Sequence, residues 1–123
     1  KTMLAGKPPI IFGDGEQSRD FTYVANAVHA NLLAARHPAP LNGEVFNVAT
    51  ARKMTLNELA KVMSQQIGAG HLAPIHELSR AGDVRHSLAD LSRIRQTLAY
   101  EPVADFESGL ASTIAWYRST LAS

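Results

Sequence analysis

Two stretches of this sequence carry residue types able to grip an anion. The first runs Gly13-Asp14-Gly15-Glu16-Gln17-Ser18-Arg19-Asp20-Phe21-Thr22-Tyr23 and sets an arginine behind a glycine-rich turn, just ahead of a helix. The second, Arg80-Ala81-Gly82-Asp83-Val84-Arg85-His86-Ser87, puts two arginines, an aspartate and a serine in one loop. A guanidinium presents several N–H donors in one plane, which suits phosphate oxygens. Arg19 is therefore a candidate phosphate ligand, Arg80 or Arg85 a candidate for a diphosphate, and Asp83 a candidate acceptor for a pair of ribose hydroxyls. On the residues alone a plainer reading of both stretches is favoured. The first is then an ordinary turn with a surface ion pair of little energetic value, the second a solvated polar loop.

Other chemistries have less to stand on. The chain has 123 residues and no cysteine, which removes disulfides, thiolate nucleophiles and thiolate metal sites. This fits a cytoplasmic protein. His86 reads as a loop histidine facing solvent, because no second ligand stands at metal spacing from it. His29, His37, His71 and His76 are scattered and receive no role. Phe106, Trp116 and Tyr117 lie at helical spacing, where aromatics are more often core than a stacking platform. A formal net charge of +1 gives no electrostatic argument for nucleic acid or an anionic membrane. No apolar run approaches the roughly 20 residues that span a bilayer.

The elements that would position these residues follow from periodicity and punctuation. Pro8-Pro9 stop any incoming helix, and Ile10-Ile11-Phe12 reads as a short strand. Val24, Ala27, Val28, Leu32 and Ala35 recur at three and four, predicting a helix to about Arg36. Pro38, Pro40 and Gly43 make a loop before a second strand at Val45-Phe46-Asn47-Val48. Thr55-Leu56-Asn57-Glu58 is a capping box opening a helix that carries Leu56, Leu59, Val62, Met63 and Ile67 on one face and stops at Gly68. Leu72 to Leu78 is a third strand, followed by the polar loop 79–87. Asp90 caps a short helix through Leu98, and Asp105 or Ser108 starts a last one with Phe106, Leu110, Ile114 and Tyr117 on its apolar side. The fold class is α/β, or an α+β-like piece, with about four helices and three short strands in one domain, 1–123. That is too few strands for a complete doubly wound sheet.

Several reaction signatures are missing. There is no G-x-G-x-x-G, H-E-x-x-H, G-x-S-x-G or P-loop lysine motif. Gly13-Asp14-Gly15 has two glycines and lacks the flanking strand and helix of a dinucleotide site.

Taken in order, the blocks resemble the C-terminal third of the extended short-chain dehydrogenase/reductase family, and most nearly its UDP-sugar 4-epimerases. The resemblance rests on Phe12-Gly13-Asp14-Gly15 through Arg19-Asp20-Phe21-Thr22-Tyr23-Val24. It continues in Glu44-Val45-Phe46-Asn47-Val48-Ala49 with Thr55-Leu56, in Arg80 through Ser87 with Ala89-Asp90, and in Phe106 to Gly109-Leu110 with Trp116-Tyr117. Each block is weak alone; four in order are specific, and they displace the plainer reading of the two anion stretches.

The resemblance implies a substrate-binding lobe that folds over a UDP-sugar. It assigns Arg19 and Arg80 to the two sides of the diphosphate, Asp83 to the uridine ribose and Ser87 to the width of the sugar pocket. A small residue at Ser87 matches enzymes that accept an N-acetyl group. Gln17 and Tyr23 are weaker candidates for lining the uridine site. The cofactor it implies is NAD, held by an N-terminal Rossmann domain together with the family's catalytic Y-x-x-x-K pair. Neither lies in this sequence, so no catalytic residue is assigned here, no cofactor is expected on this stretch, and a fragment inactive alone is expected. A nucleotide-sugar 4,6-dehydratase or decarboxylase of the same family is the nearest alternative. A structural module without ligand, pairing with another copy through exposed apolar surface, is the rival from another class. Two departures stand out. Ala25-Asn26 replace the acidic residues common in relatives and read as a weakened helix start, and Ala51 stands where a glycine is common.

Overall fold

Proline punctuation sets the start of the chain. A 3-10 turn at Met3–Ala5 ends at Gly6, and after Pro8-Pro9 the chain extends into β1, Ile10–Phe12. The computed structural model describes residues 1–121. Beyond β1 come β2 (Ser18–Arg19), α1 (Val24–Ala35), β3 (Met54–Thr55), α2 (Leu56–Ile67), β4 (Ile75–Glu77), α3 (Ser92–Leu98) and α4 (Phe106–Leu121). The α/β class with four helices agrees with the sequence reading. Strand β1 has the expected bounds, β2 and β3 are short strands that were not expected, and the four form two separate two-stranded sheets, β1 parallel to β4 and β2 antiparallel to β3.

The parallel pair matters most for the site. Ile10, Ile11 and Phe12 face Ile75, His76 and Glu77 in register, and Gly13 N–H donates to Glu77 C=O at 2.9 Å. Parallel strands deliver the segments that follow them at the same end. The turn after Phe12 and the loop after Glu77 are therefore brought together although they are far apart in sequence. Pairing then continues through β2. Ser18 pairs with Thr55 on one side and bridges His86 on the other, with Ser18 N–H donating to Arg85 C=O and Ser87 N–H donating to Ser18 C=O.

The capping box forms as expected. Thr55 accepts the Glu58 N–H through its hydroxyl, Glu58 accepts the Thr55 N–H at 2.8 Å, and Gly68 ends α2 in the left-handed region. At α3 the cap is shifted: Leu91 occupies the capping position, and Asp90 accepts the Ser92 N–H from one residue further upstream. Asp105, not Ser108, serves α4 by accepting the Ser108 N–H.

Three expectations need correction. Residues 45–48 form no strand among the described residues. A strand needs a ladder partner, and Val45 is 78% exposed while Phe46 and Val48 lean on the core. Strand β4 covers only Ile75–Glu77, in the later half of the run expected from Leu72 to Leu78. Helix α1 has the predicted bounds, but its apolar stripe points outward. Val24, Val28 and Leu32 are exposed, while Asn26 and Ala30 are buried. The main core lies between α1 and α3, where Ala30, Ala49, Leu91, Ile94, Leu98 and Tyr100 pack together. Tyr100 is fully buried, and its hydroxyl donates to Ala49 C=O at 3.0 Å. Of the late aromatics Phe106 is buried, whereas Trp116 is 60% exposed and lies outside the core.

Buried Asn26 does work that the sequence hid. Its Oδ1 accepts the N–H groups of Val103 and Ala104 at 2.8 and 2.9 Å, and its Nδ2 donates to Ala104 C=O at 2.8 Å. It fastens the approach to α4 onto the first turn of α1. It is a cross-link between segments rather than part of a weakened helix cap.

Candidate functional site

The turn 13–16 is shaped by glycine where no other residue fits. Gly15 has φ 76°, and a Cβ on it would overlap the Asn57 side chain. Asn57 fills that space to hold the turn, donating from Nδ2 to Asp14 C=O and to Glu16 Oε1. The turn leads through Gln17 to Arg19 on β2. On the opposite side, Arg80 to Asp83 close a turn in which Asp83 N–H donates to Arg80 C=O and Gly82 takes φ 78°. That turn presents Arg80 and Asp83 to the same space.

Five contacts strap the loop 79–87 to the segment 12–19. The Arg80 guanidinium carbon lies 3.7 Å from the centroid of the Phe12 ring. Asp83 Oδ1 pairs with Arg19 Nη2, and Asp83 Oδ2 accepts a long contact of 3.4 Å from Gln17 Nε2. Arg85 forms a two-pronged pair with Asp14 at 2.7 and 2.9 Å. This guanidinium holds the Asp14 carboxyl at about 2, well below the 3.8 of a free aspartate. His86 Nδ1 lies 2.9 Å from Ser18 Oγ.

Between these segments is a cleft of about 370 Å³ whose lining includes Phe12, Gln17, Arg19, Arg80 and Asp83. A second cleft of about 380 Å³ adjoins it, lined by residues that include Arg19, Asp20, Asn47 and Ser87. Arg19 belongs to both. Of the residues singled out from the sequence, Gln17, Arg19, Arg80 and Asp83 meet in the first cleft and Ser87 lines the second. Tyr23 lies elsewhere. It packs against Gly109 in a separate, mainly apolar cavity with Phe21, Leu59 and Phe106. Arg85, an alternative diphosphate ligand on the residues alone, is occupied by Asp14 and does not line the cleft.

Two contributors escaped the sequence reading. Phe12 was read as a strand residue and as the start of a resemblance block but given no role at the site, yet it is the platform beneath Arg80. Its signal was an aromatic at a strand end directly before a glycine turn. Asn57 was visible only as an interior position of a capping box.

The arrangement offers two cations on one cleft, an acceptor beside them and an aromatic wall. Charge-assisted donors on two sides can hold a diphosphate, and a carboxylate can take hydrogen bonds from hydroxyls. The turn 13–15 does not fit a dinucleotide pyrophosphate, because it runs into β2 rather than a helix and Asn57 fills its inner side.

Comparison with known proteins finds relatives of one kind. Residues 1–49 match the model of the NAD dependent epimerase/dehydratase family. A putative UDP-glucose 4-epimerase of Methanocaldococcus jannaschii is 32% identical over 117 residues, a match covering 95% of this chain and 36% of that protein. The crystal structure of a Thermotoga maritima UDP-glucose 4-epimerase with UDP-glucose superposes with TM-score 0.88 at 40% identity, over 97% of this chain and 37% of the other. A UDP-N-acetylglucosamine 4-epimerase from Methanobrevibacter ruminantium, in complex with UDP-N-acetylmuramic acid, gives TM-score 0.87 at 38% identity with the same coverage. The chain thus spans a little over a third of the length of the relatives it matches.

Proposed function

We propose, taking as premise that this chain is built like a stretch of the nucleotide-sugar epimerases, that it is the C-terminal substrate-binding lobe of such an enzyme. Its substrate class is a UDP-hexose or UDP-N-acetylhexosamine, and the parent reaction is NAD-dependent 4-epimerisation. Solved relatives carry NAD beside the sugar nucleotide. The residues of this chain do not fit that cofactor, so they supply grip and orientation, and the hydride acceptor and base belong to an N-terminal Rossmann part. Positioning of this kind can lower a barrier by several kcal/mol.

The observation that carries the reading is the shared wall at Arg19. Arg19 lines one cleft that holds Arg80, Asp83 and Gln17 and another that holds Ser87. A diphosphate at Arg19 would send the nucleoside into the first cleft and the sugar toward Ser87. Arg80 would complete the grip from the far side, and Asp83 would accept from the ribose. Tyr23 has no place in this arrangement. No described helix is long and apolar enough to cross a membrane, and the cytoplasm is the compartment that suits such an enzyme. Calorimetric titration with UDP tests the reading. Weak binding that disappears in Arg80→Ala supports it; no heat at millimolar UDP refutes it.

One feature favours a second role alongside the first. Val24, Val28 and Leu32 align along α1 and are 63%, 52% and 46% exposed. Such a stripe is cover for the missing Rossmann part or for a second copy of this chain. Sedimentation separates the two. A concentration-dependent dimer abolished by Val28→Lys supports self-pairing, and a monomer at all concentrations excludes it.

A further inference from the structure

Arg19, the cation common to both clefts, is already engaged. Asp83 meets it through a single carboxylate oxygen, while the neighbouring Arg85–Asp14 and Arg52–Glu107 pairs use both. The other nitrogen, Arg19 Nη1, donates to Ser18 C=O at 2.8 Å, fixing the guanidinium on β2. The pair is open to water, with side-chain exposures of 30% and 34%, so an incoming anion can displace it. Beside it sits Gln17, 5% exposed, whose Nε2 is committed to Phe12 C=O. That commitment fixes the amide orientation and leaves Gln17 Oε1 buried without a hydrogen-bond partner. Gln17 and Asp83 both line the cleft, so two acceptors, the unpartnered Gln17 Oε1 and the Asp83 carboxylate, call for hydroxyl donors there.

We propose that Asp83 is an internal counter-anion that closes on Arg19 in the empty cleft, so that the site rejects bare phosphate and pyrophosphate and opens to a nucleoside diphosphate. The inference rests on the nucleotide-binding reading above and adds selectivity to it. A bare pyrophosphate brings only acceptor oxygens. It must break the Arg19–Asp83 pair, it repels the displaced carboxylate, and it leaves Gln17 Oε1 unpartnered. A nucleoside diphosphate brings the same anion together with two ribose hydroxyls, which donate to Asp83 and to Gln17 Oε1. The exchange is then balanced: one charge-assisted contact is lost, and the diphosphate bonds and hydroxyl bonds replace it.

The test is a calorimetric titration of the protein, of Asp83→Ala and of Asp83→Asn with inorganic pyrophosphate and with UDP. The alanine variant guards against a new donor on asparagine. Both variants are expected to bind pyrophosphate about tenfold more tightly than the parent, the gain from removing one competing, repelling carboxylate at partly solvated range. Both are expected to lose affinity for UDP, and adding Arg19→Ala should cancel the pyrophosphate gain. Unchanged or weaker pyrophosphate binding in both variants overturns the proposal, whatever UDP does. A pyrophosphate gain with no UDP binding in any of the proteins supports the counter-anion and refutes the nucleotide reading.

Discussion

Replacing Asn26 by alanine removes more than its place in the first turn of a helix would imply. The side chain is fully buried and makes three hydrogen bonds to residues 103–104. Alanine leaves two backbone N–H groups and one C=O group facing a small void. An unsatisfied buried polar group costs about 1–3 kcal/mol, so the two orphaned donors alone bring the loss to about 2–6 kcal/mol. That is a large part of the 5–15 kcal/mol typical of a domain. Asn26→Asp retains both acceptor bonds but loses the donor to Ala104 C=O and buries a charge, so it should also destabilise. Urea unfolding followed by far-ultraviolet circular dichroism measures both, and an unchanged slope would show that the midpoint shift reports stability. A cost below about 1 kcal/mol for Asn26→Ala would refute the argument, because it would mean that water satisfies the freed groups.

Other outcomes follow from the backbone and the charges. Ala51 and Ala99 adopt φ of 56° and 50°, a region costing a non-glycine residue about 1–2 kcal/mol, so Ala51→Gly and Ala99→Gly should each stabilise after a smaller entropic loss. Thermal unfolding checks this, and an unchanged or lowered midpoint contradicts it. Because Arg85 holds Asp14 at about 2 against 3.8 when free, Asp14 adds stability that is fully present above pH 3.8 and is lost as pH falls toward 2. Asp14→Asn should therefore lower stability at neutral pH and match the parent protein near pH 2; a difference that persists unchanged into strong acid would assign the effect to packing.

What was legible in the sequence was local. The capping box at Thr55–Glu58 and the stop at Gly68 depend on neighbours a few residues apart, and both form as read. Ala51 was flagged as standing in a glycine position, and its left-handed φ explains the preference. What failed depended on partners distant in the chain. The periodicity of α1 marked an apolar stripe, but spacing cannot say which face meets the core, and buried Ala30 and Asn26 lie on the other side. Residues 45–48 had strand composition without a ladder to join. Asn26 looked like a helix-start residue because its partners lie beyond α3. The meeting of Arg19 with Arg80 required the parallel pairing of β1 with β4, which neither loop encodes; family resemblance supplied it in advance of the geometry.

The central claim is that Arg19 and Arg80 hold one diphosphate between them. A crystal structure of the protein grown with UDP tests it most directly. The account predicts diphosphate oxygens within about 3 Å of both guanidinium groups, with Asp83 swung from Arg19 to the ribose. UDP bound away from this cleft, with Asp83 still closed on Arg19, would contradict it.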